Sequence, residues 1–432
     1  MNSRDTHSHC TFIPPWLTER VDGADAAARD QAVRARRGVQ ARAAAPEAVV
    51  EGEDWTVHDA GSTTSLPGTP ARSSGEPATN DLAVDEASVG IEATLLMFAE
   101  EFDRDSHDGA GAPVSLTVHY GRDYNNAFWD GTQLVFGDGD GETFERFTKP
   151  VDVLAHEFGH GVIEHTANLI YRGQSGALNE SVADVFAACL KQRLLGQSAA
   201  EGDWLIGEGI FTRSIQARAL RDMAAPGTAY DDPGLGADPQ VGHMDDFIVT
   251  ASDNGGVHLN SGIPNRAFQL AAVGIGGTAV GGAGQIWYAA LTGGDVRPGS
   301  SFAAFAAATI AAAGPHVDVV REAWEQVGVT PSSAAVPAVG VLRVRRTGGF
   351  AGMTTSSEVD LASRGLSPEH VRDLLGRADA APAPGDDAMP DRYVYEFQLH
   401  DAEPVRLPEH RLTDDLAALA REVLESRPDG QA

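Results

Sequence analysis

His156-Glu157-Phe158-Gly159-His160 places two imidazoles and a carboxylate where a metal ion and a general base need them. On a helix, residues four apart share a face, so His156 and His160 can grip one ion while Glu157 works on a water beside it. Neutral imidazole suits zinc, and a catalytic zinc keeps three protein ligands plus an open position for water. Glu180 is the best third ligand, within Gly176-Ala177-Leu178-Asn179-Glu180-Ser181-Val182-Ala183-Asp184. The apolar run from Ser181 to Arg193 has no Pro or Gly and reads as helix, which sets Asp184 one turn beyond Glu180 on the same face. Asp184 can then accept the spare ring N–H of a zinc histidine and fix its tautomer. The rival pattern HExxHxxGxxH fails, because Ile163 and Thr166 stand where its Gly and third His belong.

Another cluster, Asp253-Asn254-Gly255-Gly256-Val257-His258, reads as a Gly-rich loop carrying one histidine. Hydrolysis of an amide puts negative charge on the carbonyl oxygen, and His258, held by a carboxylate such as Asp253, can donate to it. A lone histidine in such a loop is more often structural or merely exposed. The chemistry of the first motif is more specific. Zinc lowers the pKa of its bound water to roughly 7, and Glu157 is the acid inside the motif that can move the protons.

These residues, taken with Tyr124-Asn125-Asn126-Ala127-Phe128-Trp129, Gly137-Asp138-Gly139-Asp140-Gly141 and Ala219-Leu220-Arg221-Asp222-Met223, occur in an order that resembles the thermolysin family of zinc endopeptidases and, more closely, its protealysin-like branch. The resemblance spans about residues 52–330. It implies His156, His160 and Glu180 as zinc ligands, Glu157 as the base, and His258 and Tyr171 as oxyanion donors, with Asp184 and Asp253 orienting histidines. It further implies that Asn126 and Ala127 bond the substrate backbone and that Arg221 meets a substrate carbonyl. Phe144, Phe147, Val153 and Leu220 fall where the family builds an apolar specificity pocket, which favours cleavage before a bulky hydrophobic residue. The family's paired calcium site is expected to be lost: Asp152, Asp203 and Glu208 match its acids, but Lys191 replaces the bridging carboxylate and Leu205 another acid. An ammonium among carboxylates can supply the missing positive charge. Asp138 and Asp140 offer metal ligands too, although turns recruit Asp and Gly for their own geometry.

At 432 residues the chain exceeds a single core and implies two or more domains. Its formal net charge of −30, from 32 basic and 62 acidic residues, argues against nucleic acid or an anionic membrane as partner. Two cysteines, Cys10 and Cys189, make no disulfide framework. The polar start of the chain has no signal-peptide core and no later apolar run is long enough to span a bilayer, so the expectation is a soluble product of the cytoplasm, or one exported without a recognisable signal.

The elements around the motifs follow from pattern. Residues 1–50 contain Phe12-Ile13-Pro14-Pro15-Trp16-Leu17 and an Ala/Arg-rich run, and resemble the short Pro-Pro-aromatic propeptide of protealysin-like precursors. Two prolines fix an extended shape that can lie in a cleft at low entropic cost, and Cys10 can cap zinc as thiolate or act as an apolar anchor. Alternation from Trp55 predicts a β-rich lobe at 51–170 that includes the zinc helix, and a mostly helical lobe follows at 171–331, with the zinc between them. After a Ser/Ala/Pro linker, alternating strands at Leu342 and Tyr393–Leu399, a helix from Ser367-Pro368 and an amphipathic helix through Leu416–Leu424 predict a small α+β domain at 339–427. With Arg346-Thr347-Gly348-Gly349-Phe350-Ala351-Gly352, that domain resembles emfourin, a small protease inhibitor. The implied fold is α+β throughout. The implied protein is a neutral endopeptidase precursor, acting on peptides or proteins, that its own propeptide and C-terminal domain hold back. The competing class is a protease-like regulatory binding protein whose site stays blocked.

Overall fold

The computed structural model describes residues 11–23, 54–250, 252–332, 341–348, 353–361, 371, 374–375, 393–399 and 405–425. It forms two units, residues 1–333 and 334–432, and each has its own cluster of buried apolar side chains.

Five strands open the first unit: β1 (Trp55–Asp59), β2 (Thr69–Ser73), β3 (Val114–Val118), β4 (Ala127–Trp129) and β5 (Gln133–Phe136). Their order in the sheet is β2-β1-β3-β5-β4, with β1, β3 and β5 parallel and the two outer strands antiparallel. The alternation at Trp55 suggests a half-exposed strand, yet β1, β3 and β5 are almost wholly buried, as central parallel strands are. A 21-residue helix, Leu82–Phe102, covers them. Asp81 starts it by accepting hydrogen bonds from the Ala83 and Val84 backbone N–H groups. β4 is paired on one side only, so its outer edge faces the cleft.

The metal motif lies on the helix Val151–Glu164, buried from Asp152 through Ile163. Against it packs the helix Gly173–Leu195, which carries Glu180 and Asp184 and begins at Gly173 rather than at Ser181. Its first turns are Gly-Gln-Ser-Gly, poor in helix propensity but suited to tight packing. A side chain at Gly176 would meet Val257 Cγ1 at 2.4 Å. Gly159 has the same role in the motif helix, where an added Cβ would approach Ala183 Cα to 3.1 Å. The cost of about 1 kcal/mol for Gly in a helix is offset by this close contact between the two ligand-bearing helices. The rest of the unit is mainly helical: Gly262–Ile275, Gln285–Thr292, Phe302–Ala312 and Val317–Gln326 pack around stacked Trp287 and Trp324. Cys189 is buried in the Gly173–Leu195 helix, where burial raises its thiol well above the usual range.

In the second unit, antiparallel strands Met353–Asp360, Val341–Gly348, Tyr393–Leu399 and Val405–Pro408 form one sheet in that spatial order. Tyr395, Phe397 and Leu399 face its core, as their alternation predicts, and Leu416, Leu419, Ala420 and Val423 of the helix Asp414–Glu425 complete it. The expected helix start at Ser367, the run Gly349–Gly352, the Ala24–Ala45 run and Cys10 lie outside the described residues.

Candidate metal centre and its cleft

The two central helices bring His156, His160 and Glu180 together as a buried group whose ligand atoms all lie within 4.8 Å of one another. The Nε2 atoms of the two histidines face each other at 3.1 Å, and Glu180 Oε2 is 3.5 Å from His156 Nε2. Each ring is fixed from behind. His156 Nδ1 is 2.8 Å from Asp184 Oδ1, and His160 Nδ1 is 2.8 Å from Asn179 Oδ1. Both Nδ1 atoms therefore carry the proton toward an oxygen, leaving both Nε2 lone pairs for an ion. Burial and the adjacent His156 hold His160 down to about 4, so it is a neutral imidazole. That donor set, two neutral imidazoles and one carboxylate converging in a buried group, fits a catalytic zinc.

Asp184 does more than orient His156. It takes two hydrogen bonds from Arg221, from Nε at 2.8 Å and Nη2 at 2.7 Å, and one from Asn265 Nδ2 at 2.8 Å. Burial works against its charge, but Arg221 and His156 outweigh it and keep the carboxyl well below its usual range. Glu157 Oε2 accepts from the Trp129 backbone N–H at 2.9 Å, at the inner end of β4. Its Oε1 is buried with no hydrogen-bond partner among the described residues. Burial, and after it Glu180, raises Glu157 well above the ordinary carboxylate range.

Opposite stand His258 and Tyr171. His258 Nδ1 is 2.6 Å from Asp253 Oδ1, and its Nε2 is 3.2 Å from the Tyr171 hydroxyl, which also donates to Glu180. Asp253 to Gly256 is not an open loop. It is a turn with four successive positive φ angles that runs into the helical residues Val257–Asn260, so His258 is positioned by a helix start.

Residues 11–23 lie in this cleft. Phe12 N–H donates to Ala127 O at 3.0 Å, which adds the segment to the free edge of β4. Asn126 brackets the next residue: its Oδ1 accepts from Ile13 N–H at 2.8 Å and its Nδ2 donates to Ile13 O at 3.3 Å. Arg221 Nη1 donates to Phe12 O at 3.4 Å, and its guanidinium lies 4.8 Å from the Phe12 ring centroid. Thr11 O is 3.2 Å from His258 Nε2. Phe12 is fully buried, in the same apolar cluster as Phe144, Phe147, Val153 and Leu220. A helix, Pro15–Asp22, follows, with the Trp16 ring edge-on to His258 and Arg20 donating to Leu235 O.

At the expected calcium position, Lys191 Nζ lies 2.8 Å from Asp203 Oδ2, 2.8 Å from Glu208 Oε2 and 3.3 Å from Leu205 O. Asp152 is fully buried nearby, and its Oδ2 accepts from Gly207 N–H at 2.9 Å. Asp138 pairs with His119 beyond β3, and Asp140 Oδ1 accepts from the backbone N–H groups of Glu142, Thr143 and Phe144, so the first is engaged by a neighbouring element and the second by its own turn. Asn179 and Asn265 were not legible beforehand, since a helical asparagine carries no pattern that names its partner.

Comparison with known proteins agrees with this architecture. Residues 50–164 match the thermolysin metallopeptidase catalytic domain, residues 167–329 its alpha-helical domain, and residues 344–424 the emfourin family. An extracellular metalloprotease of Pectobacterium carotovorum subsp. carotovorum is 46% identical over 335 residues, 74% of this chain and 96% of that protein. Protease PrtS of a Photorhabdus species is 47% identical over 281 residues, 63% of this chain and 76% of its own length. The solved precursor of protealysin, a metalloproteinase from Serratia proteamaculans, superposes with a TM-score of 0.67 at 45% identity, covering 74% of this chain and all of that one. The chain belongs to the thermolysin family of metallopeptidases. It is a two-lobed α+β metalloprotease followed by an emfourin domain. Among the described residues no single helix is long and apolar enough to cross a membrane.

Proposed function

We propose that the protein is a zinc-dependent neutral endopeptidase precursor that cuts before bulky hydrophobic residues and is kept latent by its own N-terminal segment. The observation that carries the reading is the convergence of His156, His160 and Glu180 on one buried point, with Glu157 beside them. Zinc held by those three side chains would lower the pKa of a bound water to about 7 and polarise the scissile carbonyl. The other roles belong to the chain. Glu157 takes a proton from the attacking water and returns it to the leaving amine. His258 and Tyr171 donate to the developing oxyanion, with Asp253 fixing the tautomer of His258. Asn126, Ala127 and Arg221 hold the substrate backbone, and Phe144, Phe147, Val153 and Leu220 supply the apolar pocket.

Latency follows from occupancy: a segment that makes the substrate's hydrogen bonds at covalent effective concentration outcompetes a free peptide. The emfourin domain is read as a second restraint, acting on its own catalytic unit or on a neighbouring molecule. The paired calcium site is read as replaced by Lys191, whose ammonium bonds two of the acids that calcium would bridge. The related extracellular proteases suggest that this chain also acts outside the cell.

The test is incubation of the chain, after its N-terminal segment has been cleared by limited proteolysis, with an unstructured protein, with and without a zinc chelator, followed by mapping of the cut sites. Expected are stoichiometric zinc, chelator-sensitive cuts before Phe, Leu and Ile, and a loss of about 10²–10⁴ in turnover for Glu157→Ala with zinc retained. Full zinc occupancy without hydrolysis would instead assign a blocked, partner-binding role.

A further inference from the structure

We propose that the Thr11–Phe12 peptide bond is itself a substrate: the protein hydrolyses it within its own cleft, and the new Phe12 terminus stays behind as a plug. This rests on the endopeptidase reading above. The groups that the site offers to a substrate are engaged on both sides of this one bond. Thr11 O faces the His258 Nε2 donor at 3.2 Å, while Phe12 N–H donates to Ala127 O at 3.0 Å. The Phe12 ring stands edge-on to His156 with centroids 5.3 Å apart, and Phe12 O meets Arg221. The carboxylate oxygen Glu157 Oε1 is buried with no hydrogen-bond partner among the described residues.

The prolines fix which bond is presented. Moving the segment by two residues would set Pro14 against Ala127 O, and proline has no N–H to donate there. A shift of one would turn Phe12 out of its buried position, because side chains of an extended segment alternate in direction. Against a shift of one, or of two toward Pro14, the observed register satisfies both the β4 edge and the pocket.

The step is a hydrolysis that consumes one water. The water oxygen adds to the Thr11 carbonyl carbon and its proton passes to Glu157. That proton then moves to the Phe12 nitrogen, the C–N bond breaks, the second water proton follows from the new carboxyl group to the same nitrogen, and a Thr11 carboxylate and a Phe12 ammonium remain. Contacts on the amine side do not depend on the broken bond. Ile13 keeps its two bonds to Asn126, Phe12, Ile13 and Leu17 stay buried, and Asn125 Nδ2 donates to Asp22 Oδ1 at 2.8 Å. The cut therefore leaves latency in place, and release needs a second cut C-terminal to residue 23.

The test uses the full chain loaded with zinc, followed by intact mass and N-terminal sequencing. Wild type should yield a chain beginning at Phe12, at a first-order rate independent of protein concentration, while the freshly nicked form remains as slow on an added peptide as the intact form. Glu157→Ala, checked to hold zinc, should keep the bond intact or cut it about 10²-fold more slowly or worse. Phe12→Asp should also slow the cut. A wild-type protein that digests an added unstructured protein in a zinc-dependent way once its N-terminal segment is cleared, yet whose intact form never loses the Thr11–Phe12 bond, overturns the inference and leaves the endopeptidase reading standing. A nicking rate that rises with protein concentration overturns its intramolecular form. If the bond is not cut and the added protein is not cut even after the N-terminal segment is cleared by limited proteolysis, the endopeptidase reading fails, and the inference with it.

Discussion

Lys191 is proposed to stand in for calcium, and that substitution can be tested directly. Its Nζ bonds Asp203 and Glu208, and those bonds keep it charged above the ordinary lysine value although burial works against the charge. Asp152, fully out of water, is pushed up to about 6 by burial, with Lys191 pulling the other way. A calcium ion would need those same carboxylate oxygens. The expected outcome is that melting temperature is the same in calcium and in a calcium chelator, provided zinc is held constant. Lys191→Glu should lose about 1–2 kcal/mol in the chelator, since the partners are partly solvated, and should recover on adding calcium. Two calcium ions retained by the wild-type chain after dialysis would refute the substitution. At this scale much of the site was legible. The four-residue spacing of His156 and His160, and of Glu180 and Asp184, follows from helix geometry alone. Asn179 and Asn265 were not, because their roles exist only through partners distant in sequence.

Single elements are tied together by His119, which follows β3. Its Nδ1 lies 2.8 Å from Asp138 Oδ2 in the Gly-rich turn, and its Nε2 lies 3.1 Å from Asp81 Oδ2 at the start of the Leu82–Phe102 helix. The bond to Asp138 raises this imidazole to about 9, against burial and with further help from Asp81. A pKa raised on folding means that protonation favours the folded state. The contribution is complete below about 6.5, the unfolded value, and is lost as pH climbs through about 9. His119→Gln should therefore lower the melting temperature at pH 6 and much less at pH 10. A deficit unchanged between those pH values would mean that His119 acts by packing alone. The helix that Asp81 caps escapes a periodicity reading for a visible reason. Leu82, Val89 and Leu96 are 63%, 63% and 52% exposed on its outer side, so apolar residues ring the helix and blur its buried face. Strand β5 hides differently, since Gln133-Leu134-Val135-Phe136 is wholly buried and does not alternate.

For the whole molecule the consequence of having two units is separability. The emfourin domain has its own core, built on Leu342, Val344, Phe397, Leu407 and Leu416, and none of these side chains belongs to the cluster that supports the metal site. Removing residues 339–432 deletes no side chain of the cluster that supports the metal site, and where the truncated chain keeps its melting temperature a change in activity reports on regulation rather than on folding. If the domain restrains its own protease, the truncated chain, compared with full-length protein after the pro-segment is cleared from both, should hydrolyse a short peptide several-fold faster with unchanged zinc content. Restraint within one molecule gives a full-length rate per molecule that is constant on dilution. Restraint between molecules gives a rate per molecule that rises as the protein is diluted, because the partner dissociates by mass action. Equal rates for the two chains at every concentration would remove inhibition from the domain's roles and leave it as a binding or stabilising module, which the fold alone equally permits.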